Sequence, residues 1–143
     1  MRVSDVLQAN RQTLQTCIPE ESIASICTRL SNLNIGAFPV CDAKGTLVGI
    51  ISERDVVRAF AKAGARLTDM HVSDLMTREV MTCAEDDTCA EIMERMTTGK
   101  FRHLPVLRDN KLVGLISIGD VVKQRVEEIE RETDAMRDYI QTA

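Results

Sequence analysis

The chain has 143 residues, of which 44% are apolar and 28% are charged, and its formal net charge is −4. This balance excludes a disordered chain, and no segment approaches the roughly 20 consecutive apolar residues of a membrane-spanning helix. The mild excess of acidic residues argues against nucleic-acid binding, which favours a basic face. The first residues are polar and lack the apolar stretch of a signal peptide. We therefore expect a cytoplasmic protein with no membrane or nucleic-acid partner.

The chain contains an internal repeat whose second copy lies about 66 residues after the first. Residues 47–57 align with residues 112–122, and both segments run from an apolar strand pattern into a helical one. The lead-in to each copy also matches, because Val3-Ser4-Asp5 reappears as Val72-Ser73-Asp74. A repeat of this length predicts two copies of one structural unit. The predicted domains are residues 1–66 (first repeat with its lead-in), 67–125 (second repeat with the connector) and 126–143 (C-terminal helical tail).

Each copy predicts the same order of elements: a short lead strand, a helix, two strands and a second helix. Apolar residues at the i, i+3, i+4 and i+7 spacing mark the first helix, which begins at Ile23 in one copy and at Cys89 in the other. A strand containing Pro-Val, a turn and an apolar strand follow. The second helix begins directly after Ser52 or Ser117. The predicted fold class is therefore α/β (α+β), with two pseudo-symmetric β-α-β-β-α repeats and a C-terminal helix.

The five cysteines are an odd number and include no Cys-x-x-Cys pair, which argues against a disulfide framework and a zinc site. Three of them stand where the other copy has an apolar residue, which predicts small buried side chains rather than reactive thiols. Cys17 and Cys83 align with each other, so this comparison does not apply to them. The three cysteines that align with apolar residues are Cys27, Cys41 and Cys89, whose partners in the other copy are Met93, Leu107 and Ile23.

The sharpest motif is Gly-h-h-Ser-x-x-Asp, where h is apolar, at the strand-to-helix junctions 49–55 and 114–120. One interpretation is structural, because Ser-x-x-Asp before an apolar run is the capping-box pattern. The other is ligand binding, because the junction points unpaired N–H groups and the helix dipole at anions. The glycine would let a ligand approach the backbone, and the carboxylate can accept hydrogen bonds from a ribose diol. The two interpretations are compatible, and the junction suits a nucleotide.

With this motif in both copies, the chain resembles a tandem pair of CBS domains, a Bateman module, standing alone without a fused enzyme or transporter. The resemblance extends from Val3 to about Lys123. It implies two repeats packed sheet to sheet with two ligand clefts between them, and flat, disk-like homodimers. It also implies a module that senses energy or redox state by binding an adenine nucleotide. AMP, ADP or ATP is the expected ligand, with NAD(H) as an alternative in one site.

The resemblance also assigns residues to the ligand sites. Asp55 and Asp120 would each hold a ribose, with Ser52 and Ser117 nearby on phosphate or sugar. Two further segments of each copy would line the base and the phosphates, partly through backbone hydrogen bonds. The first copy contributes Thr16, Cys17, Ile18, Gly36, Ala37, Phe38 and Pro39, and the second contributes Thr82, Cys83, Ala84, Leu104 and Pro105.

The two copies differ in their basic residues. Lys100, Arg102 and His103 precede the second Pro-Val strand, where the first copy has only uncharged residues. Conversely, the first motif contains Arg54 and is followed by Arg58, where the second copy has Gly119 and Lys123. These cations are either ordinary surface charge or groups that neutralise ligand phosphates. In the second case the two sites are not equivalent.

The C-terminal segment carries a narrow apolar seam along an otherwise charged stretch. Its residues step by 4, 3, 4, 3 and 4, which spans about two and a half heptads and is short for a coiled coil by itself. One interpretation is a terminal helix packed on its own domain or on its symmetry mate, and the other is a docking helix for a separate protein. The seam residues are Val122, Val126, Ile129, Thr133, Met136 and Ile140.

The sequence shows no signature of catalysis. It has no Gly-x-x-x-x-Gly-Lys loop, no Gly-x-Gly-x-x-Gly, no metal-spaced cluster and no nucleophile–base pair. We therefore expect no enzyme and no catalytic cofactor, but a nucleotide-binding regulatory module that signals to an unidentified effector protein by conformational change. The alternative is a ligand-free structural or protein-interaction module whose capping boxes serve only stability.

Overall fold

The computed structural model describes residues 1–10 and 13–142. It confirms the predicted α/β class with two β-α-β-β-α repeats. No helix in these residues is long and apolar enough to cross a membrane. In chain order the elements are α1 (Val3–Asn10), α2 (Ile23–Leu33), β1 (Ala37–Cys41), β2 (Leu47–Ser52), α3 (Glu53–Ala63), a 3-10 helix (Gly64–Asp69), α4 (Val72–Leu75), β3 (Cys83–Ala84), α5 (Cys89–Gly99), β4 (His103–Arg108), β5 (Lys111–Ser117) and α6 (Ile118–Thr142).

These elements form two compact units that do not coincide with the sequence repeats. The first unit is Leu14–Met81, and the second combines Met1–Thr13 with Thr82–Ala143. Helix α1, which precedes the first repeat, therefore belongs to the unit of the second repeat. Helix α4, which precedes the second repeat, belongs to the unit of the first. The predicted limits at 66 and 125 follow the repeat in sequence and stay a prediction.

The two exchanged helices are held in the same way. In the first unit the N–H of Val72 donates to the carbonyl of Glu21 at 2.9 Å, and in the second the N–H of Val3 donates to the carbonyl of Asp87 at 2.9 Å. Both valine side chains are completely buried. The repeated Val-Ser-Asp sequence therefore marks a helix that completes the core of the other repeat's unit.

Each unit is built on an antiparallel strand pair. β1 pairs with β2 in the first unit, and β4 pairs with β5 in the second. The predicted lead strand is the two-residue β3, parallel to β4, in the second unit. In the first unit it is a single parallel bridge from Cys17 to Val40.

The cysteines pack as the repeat predicts. All five thiols are free. Cys41 and Cys89 are buried, and Cys27 is partly buried against the core of the first unit. Cys17 and Cys83, to which the repeat comparison did not apply, are also buried, each in the core of its own unit.

Helix α6 joins the second helix of the repeat to the predicted tail without a break. Val121 and Gln124 near its start are buried, whereas every residue from Ile129 to Thr142 is exposed. Packing of the apolar seam on its own domain is therefore wrong for the described residues, which leave the seam exposed, and packing on a symmetry mate stays a prediction.

Candidate functional site

The first Gly-h-h-Ser-x-x-Asp motif forms the junction between β2 and α3. Ser52 is the N-cap residue, and its Oγ accepts a hydrogen bond from the N–H of Asp55. In return, Oδ2 of Asp55 accepts from the N–H and the Oγ–H of Ser52, at 2.9 and 3.1 Å. These bonds hold the carboxylate one turn into the helix. Both of these hydrogen bonds go to Oδ2 of the carboxylate.

The second motif forms the same arrangement between β5 and α6. Oδ2 of Asp120 accepts from the N–H of Ser117 at 3.2 Å and from its Oγ–H at 2.8 Å. The N–H of Asp120 donates to Oγ of Ser117 at 3.2 Å. The capping-box interpretation is therefore confirmed at both junctions.

In the first unit, strand register brings the other predicted segments close to the junction. Ala37 is the register partner of Ser52, and the carbonyl of Gly36 accepts from the first N–H of α3 at 2.9 Å. The N–H of Cys17 donates to the carbonyl of Pro39 at 3.1 Å, which ties the lead strand to β1. The backbone segments named by the sequence therefore adjoin one another within this unit.

The second unit repeats this arrangement with basic side chains added. His103 is the register partner of Ser117, and the carbonyl of Arg102 accepts from the first N–H of α6 at 2.8 Å. The lead strand lies beside β4, with Cys83 paired to Val106. Two basic residues therefore adjoin the second junction, where the first unit has a glycine and an alanine.

The predicted site residues fall into two groups by burial. The buried residues are Cys17, Ala37, Phe38, Pro39, Cys83, Leu104 and Pro105. The residues with partly or fully exposed side chains or backbone are Thr16, Ile18, Gly36, Ser52, Arg54, Asp55, Thr82, Ala84, Lys100, Arg102, His103, Ser117 and Asp120.

The glycine of each motif makes room for a packed side chain. A Cβ atom on Gly49 would lie 2.8 Å from the sulfur of Met76, just after α4. A Cβ atom on Gly114 would lie 2.8 Å from Cδ2 of Leu7 in α1. A packed side chain therefore explains the glycine of each motif, and the interpretation that these glycines let a ligand approach the backbone stays a prediction.

Sequence analysis missed an arginine that holds the lead strand of the first unit. Arg29 pairs with Glu21 at 2.9 Å and donates to the carbonyl of Thr16 at 2.8 Å. Its guanidinium also lies over the ring of Phe38, 4.4 Å from the centroid. Arg29 therefore positions the lead strand from α2.

The second unit has the equivalent arginine, Arg95, which pairs with Asp87 at 2.9 Å. Burial raises the pKa of the Asp87 carboxyl, but the N–H of Ala84 and the Arg95 guanidinium outweigh this effect and hold that pKa below its usual range. In both copies the arginine follows an acidic residue by eight positions, a recurrence that could have identified the pair.

The second unit also has an open groove of about 400 Å³ beside its lead strand. It is lined by Thr82, Cys83, Ala84, Asp87, Arg95, Leu107, Asp109 and Asn110.

The thiols of the two lead strands are poorly suited to nucleophilic chemistry. Burial, reinforced by Glu21, raises the pKa of Cys17 to about 12. Burial, reinforced by Asp87, raises the pKa of Cys83 to about 12. Both thiols therefore stay protonated at neutral pH, whereas nucleophilic attack needs the thiolate.

The described residues also contain no group of three or more His, Cys, Asp or Glu side chains that could hold a metal ion.

Two solved structures that resemble this chain contain ligands. CBSX2 in complex with AMP is 27% identical, with a TM-score of 0.72 over 88% of this chain and 96% of that chain. The CBS domain pair of protein MJ0100, in complex with 5′-methylthioadenosine and S-adenosyl-L-methionine, is 25% identical. Its TM-score is 0.71, over 87% of this chain and 98% of that one.

Family membership is supported by sequence and by structure. The CBS domain family matches residues 3–62 and 72–127. The mitochondrial CBS domain-containing protein CBSX3 of Arabidopsis thaliana is 30% identical over 147 residues, which cover 97% of this chain and 71% of that protein. A CBS-domain containing protein from Agrobacterium tumefaciens is 42% identical, with a TM-score of 0.85 over 87% of this chain and 99% of that one. With two matched repeats and these relatives, the chain is a CBS domain pair and belongs to the CBS domain family.

Proposed function

We propose that this CBS domain pair is a non-catalytic regulatory module that binds an adenine nucleotide at its Ser-x-x-Asp junctions. The observation that carries the proposal is the shared hydrogen-bond pattern of Asp55 and Asp120, each held through Oδ2 by a serine at a helix N-terminus. The remaining Oδ1 can accept hydrogen bonds from a ribose hydroxyl pair, and a helix N-terminus attracts phosphate. The ligands of the two similar complexes support this choice, because AMP, 5′-methylthioadenosine and S-adenosyl-L-methionine share an adenosine moiety.

The two junctions are proposed to differ in the phosphates that they accept. Arg102 and His103 adjoin the second junction, and Lys100 lies at the C-cap of α5 just before them. The first junction has Arg54 and Arg58, in the first two turns of α3. Since cations neutralise phosphate charge, we assign the more highly phosphorylated ligand, ADP, ATP or NAD(H), to the second unit and AMP to the first.

The regulatory part of the proposal is a change of conformation on binding. A ligand that binds one conformation more tightly shifts the population toward it, and only that difference carries a signal. We propose that a separate effector protein reads this change and that the module acts as a homodimer. A cytoplasmic location stays a prediction from composition.

The test is a thermal-shift panel with AMP, ADP, ATP, NAD, NADH, 5′-methylthioadenosine and S-adenosylmethionine, with GTP as the control nucleotide. A ligand at about 100 times its dissociation constant stabilises the fold by roughly 2.7 kcal/mol per site, a shift of several degrees. Asp55→Ala and Asp120→Ala should each remove the shift that their own junction supports. Glu91→Ala is the matched control, because Glu91 closes a capping box with Thr88 that lies outside the proposed sites.

Either of two results would contradict the proposal. If no adenosine compound shifts the melting temperature, the alternative of a ligand-free interaction module replaces it. If Asp55→Ala and Asp120→Ala lower stability by about 1 kcal/mol, as lost caps do, but leave the ligand shift unchanged, the carboxylates are only caps.

A further inference from the structure

The C-terminal half of α6 presents an apolar seam that no described residue covers. Met136 is 62% exposed and Ile140 is 68% exposed, and Val126 and Ile129 are also exposed. A helical segment of this length gains its stability in water mainly from packing. The seam therefore needs a partner to bury it.

The seam has the periodicity of a coiled coil. The steps of 4, 3, 4, 3 and 4 place Val126, Thr133 and Ile140 at heptad position a, and Val122, Ile129 and Met136 at position d. The helix is continuous back to Val121, which is buried in the second unit, so the start of the seam is anchored. This anchoring lowers the entropic cost of pairing for a seam of only about two and a half heptads.

The charges that flank the seam select a second copy in parallel orientation. In a parallel pair, position g of one helix lies beside position e of the next heptad in its partner. Arg125, at position g, then faces Glu130 of the partner subunit. Glu132, also at position g, faces Arg137 of the partner subunit. Both contacts join opposite charges, and each occurs twice in a two-fold pair.

The antiparallel arrangement of the same seam brings like charges together. In the register that overlaps the whole seam, Glu130 faces Glu130 of the partner subunit and Glu132 faces Glu132 of the partner subunit. Lys123 faces Arg137 of the partner subunit. Charge complementarity therefore distinguishes the two orientations.

We propose that the C-terminal seam is a self-association surface, which pairs in parallel with the same seam of a second copy as a short two-stranded coiled coil; this inference rests on the homodimer proposed above. Within one chain, Arg125 already contacts Glu128 at 3.0 Å. A guanidinium has five N–H donors, so Arg125 can keep this contact and still reach the partner. Thr133 is the polar residue at the central a position, where such residues favour one register at a cost in stability.

The first experiment measures the mass of the full chain by sedimentation equilibrium. The wild type should be a dimer at tens of micromolar, and the double variant Ile129→Lys/Met136→Lys should have a dissociation constant at least about tenfold higher with both units still folded. Ala135→Lys is the matched control at an exposed position outside the seam and should remain a dimer. A monomeric wild type would overturn the proposal and leave the seam to a different protein. A double variant with the dissociation constant of the wild type would also overturn it.

The second experiment tests the orientation. Thr133→Cys should form a reducible cross-link between chains under mild oxidation, because position 133 faces itself only in the parallel pair. Asp138→Cys, on the opposite side of the helix, should not cross-link. Glu132→Lys should raise the dissociation constant of the dimer about three- to thirtyfold, and adding Arg137→Glu should restore it. Failure of both the cross-link and the restoration would overturn the parallel arrangement.

Discussion

The sulfur of Met76 lies over Gly49, 2.8 Å from the position that a Cβ atom on this glycine would occupy. Leu7 lies over Gly114 in the same way in the second unit. In each Gly-h-h-Ser-x-x-Asp motif, a side chain of the exchanged lead-in segment occupies the space that a larger residue would need in place of the glycine. The serine and the aspartate remain as the parts of the motif that can serve a ligand.

We expect Gly49→Ala to destabilise the protein by about 1–3 kcal/mol, because the added methyl group overpacks the site. The substitution should cost more than Gly114→Ala, since a backbone atom, the carbonyl oxygen of Thr77, also lies 3.0 Å from the Cβ position at Gly49. At Gly114 the three nearest atoms all belong to the Leu7 side chain, which can move. Urea unfolding measures both variants, and equal costs would contradict the packing argument.

A double-mutant cycle checks that the clash at Gly49 involves Met76. Met76→Ala removes the side chain that the new methyl group meets. Gly49→Ala should therefore cost less in the Met76→Ala background than in the wild type. Strict additivity of the two free energies would show that the two side chains do not compete for this space.

Removing the guanidinium of Arg29 should loosen the lead strand of the first unit. Arg29→Ala loses the bond to the carbonyl of Thr16 and the stacking on Phe38, and it leaves the carboxylate of Glu21 unpaired. We expect a loss of about 1–3 kcal/mol in urea unfolding. Arg29→Lys should recover only part of this loss, because an ammonium lacks the planar fork. The exposed Arg66→Ala is the control, and an equal loss there would contradict the assignment.

The basic residues of the second unit should affect ligands with several phosphates most strongly. Lys100→Asn removes a charge while keeping the left-handed backbone conformation (φ 59°), which Asn34 adopts at the equivalent position of the first unit. We expect the affinity for ATP to fall roughly three- to tenfold in calorimetric titrations, with a smaller effect on AMP. Lys111→Asn, at the opposite end of the β4–β5 pair, should leave both affinities unchanged.

The stability of the fold should decrease at alkaline pH through Cys17 and Cys83. An unfolded thiol ionises near pH 9.0, whereas burial raises the pKa of both folded thiols to about 12. Between these values the unfolded chain releases protons that the folded chain keeps, so the free energy of unfolding falls as pH rises from about 9 to 12.

The measurement is urea unfolding at pH 8 and pH 10.5. The double variant Cys17→Ala/Cys83→Ala should lose less stability between these two values than the wild type does. Cys27→Ala, which removes a partly exposed thiol, is the control and should behave like the wild type. A double variant with the full wild-type dependence would assign the alkaline loss to other groups.

The features of this protein that could be predicted from the sequence alone are those that depend on short spacings or on the internal repeat. The repeat predicted two copies of one structural unit. The i to i+3 spacing of Ser52 with Asp55, and of Ser117 with Asp120, predicted both helix caps. The aligned apolar positions showed that Cys27, Cys41 and Cys89 contribute to the cores. Each of these features depends on residues a few positions apart or on one copy read against the other, so the chain itself carries the information.

Tertiary packing decided the rest. The repeat placed Val3 and Val72 at equivalent positions, but only the fold showed that each helix completes the unit of the other repeat. The roles of Gly49 and Arg29 likewise depend on segments 13 or more residues away in the chain, at Met76 and at Thr16. Such contacts arise because a core is filled by whichever apolar segment reaches it. Neither periodicity nor spacing along the chain specifies that segment.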